Sequence, residues 1–167
     1  LAHRFGDFDY AVDPRIAEQP FLQGLASRGV CRRFREEAVP TTLIETLAAL
    51  ALSAPTKSDM QQRDIMIVDD PAIRGRIDTL LAEQDWIPQA PHFIVFLGNN
   101  RRQRQIHDWT GIPFANDHLD AFFNASVDAG IVLSAFVLAA EAAGLGCCPV
   151  SVIRNHAEEV SGLLGLP

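Results

Sequence analysis

A chain of 167 residues, 48% apolar and 21% charged, is long enough for one domain with a real core, and this composition excludes a disordered chain. Its net charge of −7 excludes a general binder of nucleic acid or anionic membrane, which needs a net basic face. A small anionic ligand held by a few arginines remains compatible with it.

The first twenty residues carry Pro14, Pro20 and weak periodicity, which predicts an extended arm with a short helical turn and no signal-peptide pattern. From Pro20, apolar residues at Phe21, Leu22 and Leu25 predict a short amphipathic helix ending near Ser27. Pro40-Thr41-Thr42 opens a stronger helix through Leu43, Leu47, Leu50 and Ala51, with a Thr N-cap, stopping before Pro55. "IMIVDD" reads as a strand and "DPAIRGRIDTLLAEQ" as a helix started by Asp70-Pro71. "HFIVFLG" is a second strand, and "NNRRQRQIHDW" reads as a solvated basic loop or, more sharply, a phosphate contact for a pyridine nucleotide. A long apolar helix follows, capped by Asp117 and running to about Ala143. Its uninterrupted apolar run, about a dozen residues, falls short of the roughly twenty that a bilayer requires. "CPVSVI" is a third strand, and Asn155 caps a last helix ending near Gly165. Apolar strands without alternation are covered on both faces, so the pattern gives a sheet between helical layers in one domain, residues 1–167.

"GLGCCPVSVIRN" (144–155) holds the most suggestive chemistry, and most of it dissolves on inspection. A dinucleotide loop follows a strand and opens a helix, whereas these glycines follow a helix and precede a strand. Gly144 instead suits a left-handed helix end, and Gly146 the reversal after it. Cys147 and Cys148 lack C-x-x-C spacing and a matching ligand pair, so they read as packing residues and no metal site is expected. With Cys31 they make an odd count, which suits reduced thiols and a cytoplasmic setting. The histidines form no H-E-x-x-H pattern, and no serine lies in G-x-S-x-G.

Three separated segments, "SRGVCRRF" (27–34), "SAPTKSDMQQRDIMIV" (53–68) and "LAAEAAGLGCCPVSVIRNHAEEVSGLLGLP" (138–167), together resemble the FMN-dependent nitroreductase family, in particular its NADPH-preferring flavin reductase branch. "AEQDWIPQAPHFIVF" (82–96) is similar to the same branch. The resemblance implies an α+β fold, a three-layer α/β/α sandwich with a central mixed sheet and the long helix buried at a homodimer interface. It implies FMN held by Arg28, Gly29, Val30 and Arg32 toward the phosphate and by Thr56, Asp59, Gln61 and Gln84 toward the ribityl chain and ring. Pro149, Val150, Ser151 and Val152 would lie against the isoalloxazine, and Arg154 would contact substrate. A phosphate with nearly two negative charges suits arginine forks and backbone N–H groups, and Arg28 and Arg32 are spaced to reach one anion from a bend. No catalytic side chain is expected, because the chemistry belongs to the flavin, with NADPH or NADH as co-substrate.

The implied activity is ping-pong two-electron reduction of a small electron-poor acceptor, such as a nitroaromatic, a quinone or a flavin. A specialised dehalogenase or flavin-destroying relative, or a non-catalytic scaffold without FMN, are the alternatives. Gly29 and Val30 stand where the family usually has a basic and a hydroxyl residue, and Asp59 where it often has Asn. Family members continue beyond Leu-Gly-Leu-Pro with a strand and a basic tail, so the sequence is expected to be incomplete at Pro167.

Overall fold

The computed structural model describes residues 2–6 and 11–166; residues 1 and 7–10 of the expected arm, and Pro167, lie outside it. The helices are α1 (Ala2–Phe5), α2 (Pro14–Ala17), α3 (Pro20–Ser27), α4 (Thr41–Leu52), α5 (Pro71–Leu80), α6 (Arg101–Thr110), α7 (Leu119–Ala142) and α8 (Ala157–Leu164). The strands are β1 (Arg63–Ile67) and β2 (Ile94–Gly98). They pair antiparallel, with Arg63 opposite Gly98, Ile65 opposite Phe96 and Ile67 opposite Ile94.

Strand periodicity sends alternate residues to opposite faces, and here both faces are apolar. Ile65, Ile67, Ile94 and Phe96 pack against the buried Ile44, Leu47, Ala51, Val132, Phe136 and Ala140 of α4 and α7. Val95 joins Val68, Ile77, Leu81, Ile87 and Phe93 on the other side, where Leu163 and Leu164 of α8 also pack. The expected layering of helices, sheet and helices follows. An antiparallel ladder covered on both faces therefore produces the same non-alternating pattern that a parallel sheet would.

Local chemistry fixes several element ends. Asp70 Oδ1 accepts the Ala72 and Ile73 N–H groups at 2.7 and 3.2 Å, capping α5 ahead of Pro71. Gly144 (φ 83°) closes α7 in a Schellman turn: Leu145 N–H donates to Ala140 O at 2.9 Å and Gly144 N–H to Glu141 O at 3.0 Å. The C-terminus of α4 is held from outside the helix, by Arg63 Nη2 donating to Leu52 O at 2.6 Å.

Five expectations change. No third strand forms at 148–153: residues 145–151 run without a ladder, and residues 152–156 coil into a 3-10 turn. Extended chain becomes a strand only beside a partner, and Cys31 N–H to Cys147 O (2.9 Å) is a single bridge. Residues 101–110 form a helix rather than a loop. Arg102 pairs with Asp64 (2.6 Å) and Arg104 with Asp117 (2.7 Å), and Gly111 caps the end at φ 67°. Asp117 is thereby drawn away from α7, whose cap is His118, with Nδ1 accepting Asp120 N–H at 3.2 Å. Pro40 rather than a Thr begins α4, and His156 rather than Asn155 precedes α8, both without a side-chain cap.

At 24 residues α7 is long and apolar enough to cross a membrane by length and composition. Its Asp128 and Val132 are nevertheless fully buried, and it packs along α4 and both strands as a core helix does. Its other side is open: Leu119, Phe122, Phe123 and Val127 are exposed.

Candidate flavin site

The residues expected to form one site fall into three groups along the fold. The first surrounds Arg28. Its guanidinium forks onto Glu141 of α7, Nε to Oε2 at 3.1 Å and Nη2 to Oε1 at 3.2 Å. Gly24, Gly29, Gly144, Leu145 and Gly146 line a shallow open cleft of about 350 Å³ beside this pair. Val30 is exposed next to it and has no hydroxyl to offer an anion.

The second group surrounds Trp86, which sequence reasoning passed over. Residues 28–35 form no helix or strand, and the Arg28 and Arg32 side chains go to different partners rather than to one point. The Arg32 guanidinium lies over the Trp86 ring, 5.8 Å from its centroid, and has no carboxylate partner among the described residues. Such a contact stabilises an exposed arginine by about 0.5–1 kcal/mol. Phe34 sits against the same indole at 6.4 Å, and Trp86 Nε1 donates to Gln84 Oε1 at 3.1 Å. Gln84 therefore acts here on Trp86. Val150 and Val152 pack on the cluster that Trp86 also covers, with Pro149, Ser151 and Arg154 exposed beyond them.

The third group is the loop from Thr56 to Gln62. Thr56 Oγ1 accepts Gln61 N–H at 3.3 Å, and Gln61 Nε2 donates to Asp59 Oδ1 at 3.0 Å. Ser58, Asp59 and Gln61 adopt left-handed backbone at φ 52°, 55° and 53°. Left-handed backbone disfavours an L-residue by about 1–2 kcal/mol, so this loop is strained. Asp128 of α7, wholly buried, accepts the Lys57 N–H at 3.2 Å and the Gln62 N–H at 3.0 Å. The sequence carried one sign of this residue: a lone carboxylate at the edge of an apolar helical run.

The first group attaches to the last turn of α7 and the third to its middle. At 1.5 Å per residue, Asp128 and Glu141 are roughly 20 Å apart along its axis.

The nitroreductase family model matches residues 25–167. The chain belongs to the nitroreductase family. Among relatives in the family, an FMN reductase [NAD(P)H] of Bacillus subtilis is 30% identical over 150 residues, covering 87% of this chain and 59% of that protein. An oxygen-insensitive NADPH nitroreductase of Salmonella typhimurium is 30% identical over 148 residues, covering 89% of this chain and 60% of that protein. The structure of NfrA2 from B. megaterium superposes with a TM-score of 0.82 at 32% identity, covering 88% of this chain and 60% of that one. The chain thus spans about three fifths of the length of these family members.

The donor set suits FMN. Arg32, backed by Trp86, is an accessible cation for a phosphate, exposed Pro149 beside half-buried Val150 and Val152 gives a flat ring an apolar neighbour, and the loop holding Gln61 offers amide and hydroxyl groups.

Proposed function

We propose that this protein is an FMN-dependent NAD(P)H oxidoreductase that reduces small electron-poor acceptors such as nitroaromatics, quinones or flavins. Arg32 carries the reading: an exposed guanidinium over Trp86, with no competing carboxylate among the described residues, in a chain of this family. The names of the FMN reductase and NADPH nitroreductase relatives support it.

Arg32 would hold the phosphate, with Arg28 a weaker contributor because Glu141 shares its guanidinium. Thr56, Asp59 and Gln61 would face the ribityl chain and ring edge, and residues 149–152 the ring face, with Arg154 toward substrate. Gly29 and Val30 would offer backbone rather than side chain. FMN, when bound, supplies the two-electron redox chemistry, while the protein supplies position and electrostatics.

We further propose a homodimer with the site at its interface. The separation of the groups along α7 supports a site completed by a second copy, and so do the exposed Leu119, Phe122, Phe123 and Val127. Free thiols at Cys31, Cys147 and Cys148 support a cytoplasmic setting.

Full-length protein titrated with FMN should bind it, turn yellow and oxidise NADPH or NADH when an acceptor is added; no binding at saturating FMN overturns the proposal. Alanine at both Arg28 and Arg32 should weaken FMN by at least about 30-fold, the scale of a lost charge-assisted bond. Unchanged affinity removes the phosphate assignment.

A further inference from the structure

The loop from Thr56 to Gln62 contains all three left-handed non-glycine residues among the described residues, Ser58, Asp59 and Gln61. Such backbone persists only where the surroundings over-determine it. The restraint here is Asp128, which is 0% exposed and has no cationic partner among the described residues. One carboxylate oxygen takes the N–H of Lys57 and the other that of Gln62, so a single side chain pins both ends of the strained turn to α7. The two backbone donors at positions 57 and 62 are placed to meet two different acceptor oxygens of one side chain. A carboxylate offers them; an amide has only one. The side chains that the turn carries outward, Asp59 and Gln61, are exposed and bonded to each other rather than to the core.

We propose that Asp128 is a positioning residue for flavin binding: it locks residues 57–62 in the left-handed turn that aims Gln61 and Asp59 at the ring end of the cofactor. The proposal rests on the flavin reading above. Without the clamp, the turn relaxes toward ordinary backbone conformations and its side chains lose their aim. Because the loop and the Arg32 phosphate group are separate parts of the fold, Asp128 acts on the ring end alone.

The test uses full-length protein titrated with FMN and with riboflavin, which lacks the phosphate. Asp128→Asn weakens both flavins to the same extent, by about tenfold for one well-placed hydrogen bond misaligned. Adding Ser58→Gly recovers several-fold of that loss, because glycine adopts positive φ without strain and the turn then holds with less help. Wild-type affinity in Asp128→Asn overturns the proposal, and so does a loss confined to FMN or one that glycine does not recover. A wild type that binds neither flavin overturns the cofactor reading itself, a separate result. Should Asp128→Asn fail to fold, amide hydrogen exchange on the wild type decides the clamp. Protected Lys57 and Gln62 N–H groups support it, and exchange at the rate of exposed loop amides overturns it.

Discussion

Arg28 and Glu141 are joined by two roughly parallel bonds of 3.1 and 3.2 Å that tie the segment after α3 to the last turn of α7. Both side chains are largely withdrawn from water, at 29% and 21% exposure. Breaking the fork leaves a partly desolvated charge unpaired. Arg28→Ala should therefore lower the unfolding free energy by about 1–3 kcal/mol. Urea unfolding measures this, and a double-mutant cycle with Glu141→Ala should be strongly non-additive. Additive single effects would mean the pair contributes nothing as a pair.

Gly146 has no room for a side chain, since an added Cβ would lie 2.6 Å from both Cβ and Sγ of Cys31. Gly146→Ala should destabilise by about 1–3 kcal/mol, the usual scale of overpacking. Cys31→Gly in the same chain should recover most of it, because the colliding atoms are then gone. Thermal unfolding of the single and double variants checks both halves.

Trp86 should matter to the phosphate and not to the ring. Its indole supports Arg32, so Trp86→Leu should weaken FMN by about two- to fivefold, the worth of one exposed cation–π contact. Riboflavin affinity should stay near wild type, and Trp86→Phe should restore most of the FMN loss by keeping an aromatic face. Equal losses for the two flavins would show that Trp86 serves general packing.

Burial pushes the Cys147 thiol up from its ordinary 9.0 to about 11, with the nearby Glu141 carboxylate adding to the shift. The folded state thus holds this proton more tightly than the unfolded chain does. The associated stabilisation is fully present below pH 9.0 and is lost as pH rises toward about 11. Urea midpoints measured from pH 8 upward should fall across that window, and less so in Cys147→Ala. At pH 8 native Cys147 should alkylate far more slowly than the same thiol in urea, because the thiolate is the reactive form.

Elements governed by neighbours in sequence were legible. Asp70-Pro71 announced α5, and the bonds from Ala72 and Ile73 to Asp70 are the local chemistry that the dipeptide implies. Gly144 announced the end of α7 for the same reason. The helix at 101–110 was not legible, because its apolar positions are few and it is tied down by contacts outside itself, Arg102 to Asp64, Gln103 to Met60 O and Arg104 to Asp117. The strand expected at 148–153 failed conversely: its residues favour extended backbone, but no ladder partner lies beside them among the described residues. For the candidate site, Arg32, Gln84 and residues 149–152 were named by resemblance. Trp86, Glu141 and Asp128 escaped because their roles exist only through contacts made across the fold.

By itself the sequence determined what depends on residues within a few positions: helix starts and stops, the two apolar strands, the free thiols and the segments that carry the family pattern. Tertiary structure alone decided that Arg28 turns to Glu141 while Arg32 turns to Trp86, and that one buried carboxylate on α7 holds both ends of a strained loop. Local energetics act over one helical turn or one dipeptide. Pairings such as Asp128 with Lys57 and Gln62 are set by how the long helix packs on the sheet, which no short window of sequence contains.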